Sequence, residues 1–361
     1  MVPPNLESKE SITMTARNRT VVIGVDTHAE THTAAAVDEL GRVLDVTEIP
    51  STPAGHRQLL RWAGRLGNVD RAGVEGTGAY GAGLTRFLIE HGIAVAEVNR
   101  TNRQHRRRRG KSDPADAEAA ARAVLNGDAA GTPKDSTGTV EAIRVLHLAR
   151  RSAVKAKTQA GNQIRDLVLT APEPLRSQMR SLTTTQRIRL AAKWRPGAAV
   201  DPSSATRSAI KSLAQRWLAL HDEIRTLERQ LADLLQSTCP SLLAEQGVGI
   251  EVASKLVIAA GENPDRLRSE ASFAALCGVS PVAASSGKHT RHRLNRGGNR
   301  QANNALHTVV LIRAARCPET RAYIERRRAE GRTDREIWRC LKRTLARRFH
   351  HLIVTDLAIA P

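Results

Sequence analysis

The chain has 361 residues, with 56 Lys+Arg against 36 Asp+Glu, a formal net charge of +20 and 40% apolar residues. That length and apolar share permit two or three packed domains, and no apolar run is long enough to span a bilayer. The charge and an isoelectric point near 11 favour a nucleic-acid partner over a small metabolite. An aromatic share of 2% argues against a platform that reads single strands by base stacking, so contacts to phosphate should dominate.

Residues 1–20 carry Glu7, Lys9, Glu10, Arg17 and Arg19 without an apolar stretch, and read as a disordered lead-in and not as a secretory signal. Three short β-branched or alternating runs follow at 21–26, roughly 31–37 and 43–49, with Glu39-Leu40-Gly41 turning between the last two. Leu59, Leu60, Trp62 and Leu66 are spaced for a helix over 53–66. A strand ending at Glu75, a helix over 82–91, a strand at 93–98 and a helix opening near Pro114 complete the segment 21–130. Three consecutive strands followed by alternating helix and strand predict a mixed α/β sheet, not a purely parallel one.

From 131 to 240 the pattern changes to long helices. Ile210, Leu213, Trp217, Leu220, Ile224, Leu227, Leu231 and Leu234 form an unbroken 3-4 heptad seam, about 36 Å long at ~1.5 Å per residue. It predicts a coiled coil, within one chain or between two, or a hairpin with the helix near 139–168. Pro172, Pro174, Pro196 and Pro202 break the stretch before it. Residues 241–350 read as helical and basic, with Gly247-Val248-Gly249 as a turn between two helices. Gly247 and Gly249 there either offer backbone amides to a phosphate or cap a helix. Residues 351–361 remain as a tail. Cys239, Cys277, Cys317 and Cys340 are scattered without a C-x-x-C pair, which predicts reduced thiols and not disulfides or a zinc site.

The chemistry concentrates in four acids. Asp26 closes Val-Val-Ile-Gly-Val-Asp and Glu75 closes Ala-Gly-Val-Glu, so each is delivered at a strand end. Asp113 and Asp116 are spaced i, i+3 at a helix start, with Pro114 at the first helical position and Asp113 near the N-cap. Carboxylates converging from several segments are what a two-cation phosphodiester site requires. Arg103, Arg106, Arg107, Arg108, Arg109 and Lys111 lie just upstream, where they would clamp a phosphate backbone. Downstream, Ser285-Ser286-Gly287 leads into Lys288, His289, Arg291, His292, Arg293, Arg296 and Arg300, a hydroxyl followed by cations able to balance phosphorane charge. Gly297-Gly298-Asn299 is a tight turn ahead of an apolar helix with Ala302, Leu306, Val309 and Val310.

Two lookalikes carry less weight. Gly76-Thr77-Gly78-Ala79-Tyr80-Gly81 is a literal G-x-G-x-x-G with Glu97 about 20 residues on, yet three strands precede it and it directly follows Glu75. His28-Ala29-Glu30-Thr31-His32 is like a zinc-protease motif, but its Glu is misplaced and its histidines would not converge.

Taken in order, the motifs resemble a DEDD transposase of the insertion-sequence-110 family from about residue 21 to 350. The resemblance rests on Gly24-Val25-Asp26-Thr27-His28, Val74-Glu75-Gly76-Thr77-Gly78, Lys111-Ser112-Asp113-Pro114-Ala115-Asp116-Ala117 and the Gly247-Val248-Gly249 turn. It continues through Gly278-Val279-Ser280-Pro281, Ser285-Ser286-Gly287 and Arg296-Gly297-Gly298-Asn299-Arg300. It implies an RNase H-like (RuvC-like) N-terminal domain whose Asp26, Glu75, Asp113 and Asp116 bind Mg²⁺, a helical coiled-coil region, and a mostly helical C-terminal transposase domain. It also implies a nucleophilic serine matching Ser286, with Ser285 adjacent, that links transiently to DNA phosphate. Donor and target DNA would be paired by an element-encoded bridge RNA, on a dimer or tetramer acting in the cytoplasm at the nucleoid. The alternatives are a metal-dependent RuvC-like junction nuclease and a non-catalytic nucleic-acid-binding protein.

Overall fold

The run Val21-Val22-Ile23-Gly24-Val25 is apolar on both of its alternating faces, the pattern of a strand covered on two sides. In a computed structural model, which describes residues 19–98, 112–129, 131–263, 266–283, 292–293, 295 and 297–359, this run is the central strand β1 (Thr20–Thr27). The strands β2 (Thr31–Val37), β3 (Val43–Pro50), β4 (Asn68–Glu75) and β5 (Ala94–Val98) complete a sheet of order β3-β2-β1-β4-β5. β1 pairs antiparallel with β2 and parallel with β4, and β5 extends the parallel side, which makes the sheet mixed as expected.

Val21, Ile23 and Val25 bury against α1 (Pro53–Leu66) and α2 (Ala82–Glu90), in one core with Leu59, Trp62, Leu84 and Leu88. α1 starts where Thr52 accepts a hydrogen bond from Gly55 N, and Trp62 Nε1 donates to Asp45 Oδ2 at 2.8 Å, fastening the helix to β3. Val22 faces the other way, into a smaller core with Val98, Ala120, Ala121 and Val124 under α3 (Asp113–Leu125). The segment Gly261–Arg266 also belongs to this unit: Asn263 and Arg266 donate to the carbonyls of Pro133 and Thr132.

The second unit comprises Gly138–Ala260 and the residues from Leu267 on. Its helices are α4 (Thr139–Thr170), α5 (Glu173–Arg180), α6 (Thr184–Ala192), α7 (Pro202–Thr238), α8 (Pro240–Leu243), α9 (Ile250–Ala260) and α10 (Glu270–Leu276). A two-stranded ribbon, β6 (Val282–Ala283) and β7 (His292–Arg293), precedes α11 (Arg300–Arg316), α12 (Pro318–Ala329) and α13 (Asp334–Ile359). α4 and α7 lie antiparallel. The start of α4 (Val140, Ile143) shares a core with the end of α7 (Leu231, Leu235), and its end (Ile164, Val168) shares another with Ile210 and Ala214. Of the heptad seam, Ile210, Ile224 and Leu231 are buried; Leu213, Trp217, Leu220, Leu227 and Leu234 are half-buried.

Two boundaries fall elsewhere than expected. α4, α7, α9, α11 and α13 share one core, so residues 131–240 do not stand apart from 241–350. α13 also continues through residues 351–359, expected as a tail, because Ile353 is fully buried and Asp356 accepts from the Ser241 amide and hydroxyl at 3.0 and 2.8 Å.

Candidate metal centre

Because β1 and β4 run parallel with Val25 opposite Val74, their last residues emerge side by side at one edge of the sheet. Thr27 Oγ1 donates to the Glu75 carbonyl at 2.8 Å, tying the two strand ends together. Gly76 then takes φ +69°, a left-handed turn that glycine adopts without strain, and leads the chain away directly after Glu75. Asp26 is 8% exposed and Glu75 half-buried.

The second pair of acids is placed by a helix seated unusually close to the sheet. Gly24 and Gly73 are register partners on β1 and β4. A Cβ on Gly24 would stand 2.1 Å from the Ala117 carbonyl and 2.2 Å from the Ala121 amide, and one on Gly73 would stand 2.8 Å from the Ala120 carbonyl. The missing side chains form a groove into which the α3 backbone settles. Since side chains alternate along a strand, Gly24 and Asp26 share a face, as do Gly73 and Glu75. The groove therefore brings the first turn of α3, with Asp113 and Asp116, down beside the strand-end acids. Ser112 is the residue before the helix and Asp113 its first, so the helix starts one residue earlier than expected; Pro114 sits second. Acids in a first helical turn are also favoured by the helix dipole.

The carboxylates share one field. Burial pushes the Asp26 carboxyl above its ordinary range; His28 opposes this, and the charges of Glu75, Asp113 and Asp116 add to it. His28 Nδ1 stands 3.9 Å from Asp26 Oδ2. Asp26, His28 and Asp113 each offer a ligand atom within 4.8 Å of the others, a spacing and donor set that suit a divalent cation. His28 was not singled out as a site residue from the sequence. Its signal was its place two residues after Asp26, where the chain turns back into β2 through the His28 N–Thr31 O hydrogen bond.

His32 goes elsewhere: it is fully buried and stacks on His56 at 5.9 Å, so the two histidines of the protease-like motif meet different neighbours. The dinucleotide lookalike also resolves into backbone roles. Gly76 makes the turn, and Gly81 precedes α2 where a Cβ would lie 2.9 Å from Val74 Cγ1.

Of the expected nucleic-acid contacts, Arg293 is exposed on β7, Arg300 is exposed at the start of α11, and Gly247, at φ +88°, lies with Gly249 in the turn between α8 and α9. Arg106, Arg107, Arg108, Lys111, Ser285, Ser286, Lys288, Arg291 and Arg296 lie outside the described residues. All four cysteines are unpaired, Cys239 and Cys277 being buried. Among the described residues no helix is long and apolar enough to cross a membrane.

Comparison with known proteins defines the class. Residues 23–171, which contain all four acids, match a family model described as Transposase, of the DEDD IS110 type. Residues 239–325, which contain Ser286, match one described as Transposase IS116/IS110/IS902 family. Together these matches span more than half of the chain, which belongs to the IS110 family of transposases. A relative, "Insertion element IS110 uncharacterized 43.6 kDa protein" of Streptomyces coelicolor (strain ATCC BAA-471 / A3(2) / M145), is 34% identical over 128 residues. The match covers 34% of this chain and 31% of that relative, about a third of each.

Proposed function

We propose that this protein is the DNA transposase of an insertion element, a site-specific recombinase that cuts and rejoins phosphodiesters with Ser286 as nucleophile. The observation that carries the reading is the convergence on Asp26: one buried carboxylate feels Glu75, Asp113 and Asp116, acids from two other segments of the chain. The sheet order with acids at adjacent parallel strand ends supports an RNase H-like reading of the first unit.

Asp26, Glu75, Asp113 and Asp116 would hold Mg²⁺, with His28 beside them. When bound, the cation would supply Lewis-acid stabilisation of phosphorane charge. In the step itself the Ser286 oxygen bonds to phosphorus as the bond from phosphorus to one sugar oxygen breaks. The serine proton leaves to solvent and the departing sugar oxygen takes one up. A hydroxyl of the incoming strand then displaces the serine and regenerates it. Arg291, Arg293 and Arg296, with Lys288, Arg300 and the cluster Arg106, Arg107, Arg108 and Lys111, would hold donor and target DNA by their phosphates. Gly247 and Gly249 would add backbone amides. The family resemblance adds an element-encoded bridge RNA as guide, and self-association as a dimer or tetramer, for which the half-buried leucines of α7 would supply a coiled-coil seam. It places the protein in the cytoplasm, at the nucleoid when acting.

The test uses duplex DNA carrying an element end, the flanking-RNA transcript and Mg²⁺. The wild type should cleave and form a covalent protein–DNA adduct. Ser286→Ala should lose the adduct while retaining binding, and Asp26→Asn should lose cleavage altogether. Cleavage that persists in Ser286→Ala would favour the junction nuclease, with water as nucleophile. Absence of any Mg²⁺-dependent cleavage by the wild type would favour a binding protein without catalysis.

A further inference from the structure

Two adjoining cavities in the second unit meet at a lysine, Lys342, that has no ion pair among the described residues. The larger, of about 500 Å³, is lined by Gly278, Asn295, Arg300 and Asn303 among others. The smaller, of about 370 Å³, is lined by Trp338 and Arg339 among others. His307 and Lys342 line both.

The polar groups around this space are short of acceptors. Lys342, on α13, is only 9% exposed. One of its three N–H donors reaches Asn303 Oδ1 at 3.0 Å, and the Asn303 amide donates in turn to the Cys277 and Gly278 carbonyls. Among the described residues no carboxylate makes an ion pair with Lys342. The carboxylate in the wall of the smaller cavity, Asp334, is held by Arg328 through Nε at 2.8 Å and Nη2 at 3.1 Å. Among the described residues the buried Trp338 Nε1 meets no acceptor, and its ring faces His307 at 5.0 Å. Burial and then Arg339 hold Lys342 below the usual lysine range, and burial and then Lys342 hold His307 down. An uncompensated buried ammonium is costly, and an anion seated against it removes that cost.

The anion's chemistry follows from what surrounds the cavity. Gly278 on one side, Asn295 and Gly298 on the other, bracket in sequence the segment that carries Ser286, and Arg300 stands at the rim. We propose that the Lys342 cavity is a docking site for a backbone phosphate of the DNA strand on which this unit acts, with Lys342 as the anchor and Arg300 as the outer clamp. The proposal rests on the transposase reading for the identity of the strand. Lys342 is a positioning residue: it holds a phosphate in register and takes no part in bond exchange.

The test measures binding of the full-length chain to a fluorescent duplex carrying an element end. It is run across a KCl series with a chelator present, so that no cleavage intervenes. Lys342→Met, which keeps the apolar stem, should weaken binding roughly tenfold at low salt and flatten the log–log salt dependence by about 0.9, the loss of one phosphate contact. Lys342→Arg should keep the slope. Lys342→Gln, which keeps a polar head without the charge, should lose a similar increment and decides the matter if Lys342→Met does not fold. The flanking-RNA transcript should bind all variants with unchanged slope. An unchanged slope on DNA in folded Lys342→Met or Lys342→Gln, or a loss confined to the RNA, overturns the proposal. In a parallel run with Mg²⁺ in place of the chelator, wild-type protein that binds with the full slope but never cleaves would sink the transposase reading instead.

Discussion

Replacing Gly24 with alanine adds one methyl group at the closest approach between α3 and the sheet. That methyl would lie 2.1 Å from the Ala117 carbonyl oxygen and 2.2 Å from the Ala121 amide, both backbone atoms without rotameric freedom. An ordinary carbon–oxygen contact is about 3.4 Å, so α3 must retreat by roughly 1 Å or tilt about its far end. Overpacking of this kind costs about 1–3 kcal/mol of folding stability. The larger consequence is local, because Ala117 follows Asp116 directly and the retreat carries Asp113 and Asp116 away from Asp26 and Glu75. A misplacement of about 1 Å at a reacting centre lowers rate on the order of a hundredfold. Urea unfolding followed by circular dichroism reads the first effect, and Mg²⁺-dependent strand cleavage the second. Gly64→Ala is the control. It lies on α1 with nothing within 4 Å of the added methyl, and should stabilise by up to about 1 kcal/mol with activity unchanged. A Gly24→Ala protein with native stability and native cleavage would refute the groove as the device that positions the acids.

Asp26→Asn should stabilise the metal-free protein at neutral pH while abolishing cleavage. The folded-state carboxyl titrates above its unfolded value of 3.8, so the wild type loses stability as pH rises through that value to the raised one. Added Mg²⁺ at a hundred times its dissociation constant should restore about 2.7 kcal/mol to the wild type and nothing to the variant, measured as shifts in unfolding midpoint. Glu251 behaves oppositely: burial raises it, but hydrogen bonds from His147 and Lys255 prevail and hold it at about 2, against 4.5 ordinarily. Its contribution is full above pH 4.5 and disappears as pH falls toward 2, so the stability gap between wild type and Glu251→Gln should close over that window. After solvent screening of a side chain that is 37% exposed, the gap at neutral pH should be about 1 kcal/mol. Burial also pushes the Cys239 and Cys277 thiols up to about 12. At pH 8 a thiol reagent should therefore label Cys340 and Cys317 quickly and the buried pair only on unfolding; rapid labelling of all four would contradict the packing of this unit.

Much of the first unit was legible because its signals are local. β-branched runs marked the strands, the spacing of Leu59, Leu60, Trp62 and Leu66 marked α1, Asp113-Pro114 marked the start of α3, and strand-end positions identified Asp26 and Glu75. What stayed hidden depends on register between distant segments. Gly24 and Gly73 read singly as weak points in strands; only the parallel pairing of β1 with β4 sets them side by side under α3. His28 acquires meaning when Asp113 arrives from a helix far along the chain. The return of Gly261–Arg266 to the first unit, through carbonyls at Thr132 and Pro133, has no local signature. Lys342 is one of 56 basic residues until the fold surrounds it. In the long helices the heptad seam on α7 was visible, but its neighbour was not determined by periodicity alone. Ala214 and Leu235 joined the buried face because α4 packs antiparallel along it.

The acid cluster also shows why a repulsive site can persist in a strongly basic chain. Four carboxylates share a field that raises Asp26, so mutual attraction does not hold them in place. Features that carry no net charge help to place them: the Gly24–Gly73 groove under α3, the Thr27 hydroxyl on the Glu75 carbonyl, and the left-handed turn at Gly76. None of these uses a carboxylate oxygen. Positioning by backbone and charge by side chain are therefore separable. An acid-to-amide substitution should disturb the charge and leave the scaffold, whereas Gly24→Ala should disturb the scaffold and leave every charge. If both substitutions abolish cleavage but only the amide stabilises the metal-free protein, geometry and charge are independent requirements of the site. If Gly24→Ala also relieves the repulsion and stabilises the protein, the groove is holding the acids together against their own field, and the strain it stores is larger than the overpacking it imposes.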